Sequence, residues 1–295
     1  MKKNVFTGCG TAIATPFDEN GVNFKELQRL IEFQISEGVD ALVVCGTTGE
    51  ASTMSFKEKC DTIQCAVHTA NGRIPIIAGT GGNNTQEVIK MSKSAEELGV
   101  DALLIVTPYY NKTTQAGLVA HYNAVASSVS LPIILYSVPS RTGVNITPET
   151  CLELSKIDNI VAIKEASGNL SQIADIAHLC GDNLDIYSGN DDQILPILSL
   201  GGKGVISVLS NIYPKLTHNI VADFLNGNFE KAKSLQLHAL PLIHALFSEV
   251  NPIPVKAGLN MIGFDFGIPR LPLVEMTESK KNILKQEIAR LKDIY

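Results

Sequence analysis

The strongest constraint on this chain is an alternation. Eight short apolar, β-branched runs, bounded by Gly, Pro or Asp, are separated by stretches whose apolar residues fall at helical spacing. The strand candidates are Gly8–Thr15, Ala41–Cys45, Ile74–Ala78, Ala102–Thr107, Ile133–Tyr136, Ile160–Lys164, Asp185–Ser188 and Gly204–Val208. Helix candidates such as Phe24–Glu37, Thr85–Leu98 and Pro148–Lys156 follow them. Strands that alternate with helices imply a parallel sheet, because each strand must cross back before the next begins.

An internal echo says that the sheet closes. Gly38-Val39-Asp40-Ala41-Leu42-Val43-Val44 returns 61 positions later as Gly99-Val100-Asp101-Ala102-Leu103-Leu104-Ile105, and Gly202-Lys203-Gly204-Val205-Ile206 repeats the pattern again. Eight strand-helix units in about 220 residues predict an α/β fold, the (β/α)8 TIM barrel. After residue 224 the strand pattern stops, and Phe229–Glu249, Pro254–Met261 and Thr277–Leu291 read as helices. Residues 1–224 therefore read as a barrel carrying the active site, and 225–295 as a small C-terminal helical domain. A doubly wound sheet is the rival, but the Gly-x-Gly-x-x-Gly expected after its first strand is absent. Gly79-Thr80-Gly81-Gly82 follows the third strand instead, and Gly201-Gly202-Lys203-Gly204 resembles a phosphate loop only superficially.

Composition narrows the function. The chain has 295 residues, 45% hydrophobic and 18% charged, which excludes a disordered polypeptide. Its 24 Lys and Arg against 30 Asp and Glu give a net charge of -6 with no basic run, so no nucleic-acid partner is expected. The start lacks the apolar stretch of a signal peptide, and the charge-free stretch Thr113–Ser140 is broken by Gln115, His121, Asn123 and Pro132. No membrane segment is expected, and the location expected is cytoplasmic. Six cysteines without redox or zinc spacing read as reduced, buried thiols; six scattered histidines give no metal site.

In such a barrel the polar residues at the carboxyl ends of the strands face the active-site mouth. Here these are Thr47 and Thr48, Tyr109 and Tyr110, Tyr136, Arg141 and Lys164, with Glu50, Glu165, Gly189, Asp191, Asp192 and Ser207 beside them. Lys164 ends Asn159-Ile160-Val161-Ala162-Ile163-Lys164, which sets an ammonium against an apolar interior. Desolvation lowers the pKa of such a lysine and makes it a nucleophilic amine suited to Schiff-base formation. A lysine paired with Glu165 or another rim neighbour weighs equally from position alone. Tyr136, on the adjacent strand, can supply the proton shuttle that imine chemistry needs. The Gly46-Thr47-Thr48-Gly49 turn suits a carboxylate and a relay hydroxyl, although it is also an ordinary strand-to-helix turn. Arg141 offers a fork for a second carboxylate, or is simply solvated.

Taken in order, Gly46-Thr47-Thr48-Gly49-Glu50, Thr107-Pro108-Tyr109-Tyr110-Asn111, Tyr136-Ser137-Val138-Pro139-Ser140-Arg141-Thr142-Gly143 and Lys164-Glu165-Ala166-Ser167-Gly168 closely resemble the dihydrodipicolinate synthase family, within the pyruvate-dependent class I aldolase superfamily. The resemblance spans nearly the whole chain, through Gly189-Asn190-Asp191 to Asn251-Pro252-Ile253-Pro254-Val255-Lys256; Ser137, where many relatives carry Asn, is a departure expected to be tolerated. It implies a lyase in which Lys164 forms a Schiff base with pyruvate, whose enamine attacks L-aspartate-4-semialdehyde on the route to diaminopimelate and lysine. It further implies a proton relay of Tyr136, Thr47 and Tyr110, with Tyr110 reaching in from a neighbouring subunit. Thr48 would hold the pyruvate carboxylate, Arg141 would meet the aldehyde substrate's carboxylate, and backbone near Gly189 and Ile206 would line the pocket. No cofactor is expected, and the partner expected is a second copy, in a homo-oligomer commonly a tetramer built as a dimer of dimers.

Within the same superfamily, N-acetylneuraminate lyases and keto-deoxy sugar-acid aldolases share the lysine and tyrosine. They generally carry Gly-Ser-Thr-Gly-Glu and lack the loop arginine, so Thr47 and Arg141 favour the synthase. A non-catalytic keto-acid sensor is the alternative of another class, opposed by the complete set of Lys164, Tyr136, Tyr110 and Thr47. Asn83, Glu87 and Tyr109 match the family's lysine-feedback pocket, but Phe56 and Lys59 stand where responsive relatives place histidines. Because Lys59 repels the inhibitor's ammonium, weak or absent feedback by L-lysine is expected.

Overall fold

The computed structural model describes Lys2 and residues 4–292. Its core is a closed barrel of eight parallel strands: β1 (Gly8–Ala12), β4 (Ala41–Val44), β5 (Ile76–Gly79), β6 (Ala102–Val106), β7 (Ile133–Ser137), β8 (Ile160–Glu165), β9 (Asp185–Ser188) and β10 (Gly204–Ser207). β1 pairs with both β4 and β10 and so closes the ring. All eight expected strands are present. The third starts at Ile76 rather than Ile74 because Pro75 has no N–H for the ladder; its carbonyl still accepts from Leu42 N at 3.0 Å. Two features escaped the alternation pattern, the small hairpin of β2 (Phe17–Asp18) and β3 (Gly21–Val22) and the one-turn helix Pro139–Thr142, each too short to show a period.

Two apolar layers form, as period-two alternation demands of strands buried on both faces. Ala41, Val43, Ile77, Ala102, Leu104, Ile134, Ala162, Tyr187 and Ile206 fill the barrel, while Leu42, Val44, Leu103, Ile105, Ile133, Leu135 and Ile163 pack outward under the helices. Phe6 plugs the amino-terminal end, stacked 4.4 Å from the ring of Tyr187, whose hydroxyl donates to Phe6 O. Gly10 makes room for that plug: a Cβ there would lie 2.7 Å from the Phe6 ring.

Helix Phe229–Leu246 packs on Pro214–Leu225 and on the later helices Ile253–Met261 and Glu278–Lys292. The turn between Leu246 and Ile253 brings Phe247 and Asn251 to the carboxyl-terminal mouth of the barrel. Among the described residues, no helix is long and apolar enough to cross a membrane.

Candidate active site

Strand phase decides which residues enter the barrel. Between β7 and β8 the register slips by one residue after Ile133, so that Ile134 faces Ala162 and Tyr136 faces Lys164. Ala162 and Lys164 thereby point inward, and Ile163 and Glu165 outward. Glu165 is not the partner of Lys164. Its carboxylate accepts from Ser167 N at 2.6 Å and from Gln172 Nε2 at 3.3 Å on the far side of the sheet. Ser137, one residue from Tyr136, also points outward, toward Asn145 at 3.4 Å, which removes it from the site.

Lys164 is 5% exposed, and its Nζ lies 4.6 Å over the Tyr136 ring. No carboxylate among the described residues lies within ion-pair distance of it. Burial pulls its pKa down to about 8, with the Asp191 charge opposing that shift and Arg141 adding to it. The Tyr136 phenol is pushed up by burial, an effect that Arg141 and a hydrogen bond with Thr47 soften. A poised amine thus faces a protonated phenol in a lining that also holds Thr47. Asp191, a mouth residue by its place in the sequence, is buried, and its Oδ2 accepts from Val208 N at 3.0 Å and Leu209 N at 2.9 Å. Burial raises its pKa, and the charge of Lys164 works the other way.

Thr47 and Thr48 sit in a turn bracketed by two left-handed residues, Cys45 at φ 55° and Glu50 at φ 54°. Within it Gly49 N donates to Gly46 O and Glu50 N to Thr47 O, each at 3.1 Å. Thr48 Oγ1 accepts from Asn251 Nδ2 at 3.0 Å. Arg141 lies in the helix Pro139–Thr142, started by a proline and stopped by Gly143 at φ 68°, and its Nη2 donates to Asn251 O at 3.2 Å. Gly189 lets β9 approach the end of β8, since a Cβ there would lie 2.6 Å from Ala166 Cβ.

Lys164, Tyr136, Thr47, Thr48, Arg141, Gly189 and Asn251 all line one cavity of about 190 Å³. A second, of about 250 Å³, shares Thr47, Tyr136 and Arg141 with it and continues to Lys59 and Tyr109. The pair can hold two small reactants side by side. Lys164 and Arg141 in one lining suit carboxylates, and an amine beside a phenol suits carbonyl chemistry. Ile206 lies in the barrel interior, and from the same strand end Val208 joins the cavity lining. Tyr110 is 91% exposed at φ 70° and does not reach this chain's own cavity. Phe247 and Asn251 join the lining without any sequence signal of their own, because nothing local marks a helical connection as part of a barrel mouth. Among the described residues, no cluster of His, Cys, Asp and Glu could hold a metal ion.

The model of the Dihydrodipicolinate synthetase family matches residues 5–291. The 4-hydroxy-tetrahydrodipicolinate synthase of Acetivibrio thermocellus is 55% identical over 288 residues, 98% of each chain. That of Caldicellulosiruptor saccharolyticus is 59% identical over 285 residues, 96% of each. The crystal structure of dihydrodipicolinate synthase from Thermotoga maritima superposes with a TM-score of 0.95 at 41% identity, covering 97% of this chain and 98% of that one. A structure described as a monomeric dihydrodipicolinate synthase variant superposes equally, at 41% identity over 97% of both chains.

Proposed function

Since this chain belongs to the dihydrodipicolinate synthetase family and is an enzyme that forms 4-hydroxy-tetrahydrodipicolinate, we propose that its cavity condenses pyruvate with L-aspartate-4-semialdehyde through an imine on Lys164. The observation that carries the assignment of roles is the buried amine of Lys164, facing Tyr136 with no carboxylate within ion-pair distance among the described residues. Its neutral form attacks the keto carbon of pyruvate, while Thr48 and the turn amides hold the carboxylate. Tyr136 gives the carbinolamine oxygen the proton with which it leaves as water, and Thr47 relays protons onward. The imine then loses a methyl proton to become an enamine, which attacks the aldehyde carbon of the second substrate. Arg141 meets that substrate's carboxylate. Its amine displaces Lys164 as the ring closes, and the free lysine is regenerated.

The relay is completed by Tyr110 of a second copy, because in a single chain that phenol stands in solvent. A homo-oligomer, at least a dimer, follows from this reading; a dimer of dimers acting in the cytoplasm is the full form proposed. Turnover of pyruvate with L-aspartate-4-semialdehyde, coupled to dihydrodipicolinate reductase and followed by loss of NADPH, tests the assignment. A robust rate supports it; no rate with a competent reductase moves the function to a sugar-acid aldolase or a keto-acid sensor.

A further inference from the structure

Glu50 closes the turn that carries Thr47 and Thr48, and the C-terminal segment takes both of its carboxylate oxygens. Oε1 lies 2.8 Å from Lys256 Nζ, with both side chains 1% exposed, and Oε2 accepts from Arg270 N at 2.8 Å. Lys256 Nζ donates also to Ile268 O at 3.2 Å and sits 4.4 Å over the Phe17 ring. The Glu50 carbonyl accepts from Thr53 N at 3.0 Å, which leaves that left-handed residue tied on both sides. Two residues earlier, Asn251 of the same segment donates to Thr48. The turn is thus gripped from outside the barrel.

A charge pair this dry is a poor source of stability. The cost of taking both charges out of water offsets most of their attraction, and a well-packed apolar pair commonly does as well. What the pair does supply is direction, because a carboxylate saturated by an ammonium and a backbone amide can sit in only one place. We propose that Glu50, held by Lys256 and the Arg270 amide, is a positioning residue for the pyruvate end of the cavity, fixing the Thr47-Thr48 turn against the keto-acid carboxylate. This rests on the reading that Thr48 holds that carboxylate. Asn251 touches both ends, donating to Thr48 and accepting from Arg141, but neither Glu50 nor Lys256 contacts Arg141 or the helix Pro139–Thr142, so changes confined to the Glu50–Lys256 pair separate the two ends experimentally.

The test compares the parent with the double variant Glu50→Met, Lys256→Met, which removes both charges at similar volume, and with Lys256→Gln, which keeps a donor for Glu50. Thermal midpoints, kcat, KM for each substrate and the pyruvate dependence of borohydride trapping are measured. The expected result is a folded double variant whose KM for pyruvate rises about tenfold, while KM for the aldehyde stays within about twofold and Lys256→Gln falls between. Unchanged KM for pyruvate, or an equal rise for both substrates, overturns the proposal. Should the double variant fail to fold, Lys256→Gln decides alone: a rise confined to pyruvate supports the proposal and no such rise overturns it. A parent that pyruvate and borohydride do not trap would instead sink the imine reading, and is told apart by that control.

Discussion

Lys164 pays for its reactivity in stability. Its pKa is about 8 in the fold against 10.5 for an ordinary lysine, so between those values the unfolded chain binds more protons and stability rises with pH. Below about pH 8 both states are protonated and the full cost of the buried ammonium is borne. Lys164→Met should therefore abolish turnover yet raise the unfolding free energy at neutral pH by on the order of 2 kcal/mol, read by urea titration; lower stability would contradict the buried, unpaired amine. By the same titration, imine formation at low pyruvate should climb toward about pH 8 and then level, since only the neutral amine attacks. Tyr136→Phe should lower kcat by roughly a hundredfold or more while leaving the barrel intact, and a near-native rate would remove the phenol from the relay. Arg141→Ala should raise KM for the aldehyde and spare pyruvate trapping; equal loss of both would deny the division of roles. Submillimolar L-lysine inhibiting strongly would refute the expectation built on Phe56 and Lys59. The sequence marked these side chains by type and place, but not their state: that Lys164 rather than Glu165 shares the inner face with Tyr136 depends on a one-residue slip between β7 and β8. Local alternation does not encode such a slip.

Element by element, legibility followed length and period. Runs such as Ala102–Val106 and helices such as Phe24–Ser36 carry enough repeats to declare themselves, whereas β2, β3 and Pro139–Thr142 hold too few residues for any period. Arg141 consequently reads as a loop residue although a one-turn helix sets it. Helix ends are fixed by short-range chemistry: Ser55 and Glu58 form a reciprocal capping box on the helix Phe56–Ala70, which carries Lys59 beside the cavity. Ser55→Ala should cost about 1 kcal/mol by chemical denaturation without changing KM for either substrate. A changed KM with unchanged stability would mean that this helix tunes the site rather than supports it.

At the scale of the molecule, the division drawn in the sequence between a catalytic barrel and a helical appendix does not describe the cavity, which Phe247 and Asn251 help to line. Contacts between residues more than two hundred positions apart, such as Asn251 with Thr48, have no local signature. The exposed Tyr110 makes a prediction about assembly. Mixed and reassembled Lys164→Ala and Tyr110→Ala chains should recover activity that neither has alone, because a hybrid dimer holds one site with a native lysine and the partner's native tyrosine; no recovery from demonstrated hybrids would place Tyr110 outside the partner's site. The most direct test of the central claim is borohydride reduction in the presence of pyruvate, followed by intact mass and peptide mapping. One carboxyethyl-lysine per chain, located at Lys164 and absent from Lys164→Met, is the predicted result; no adduct, or an adduct on another lysine, would contradict the account.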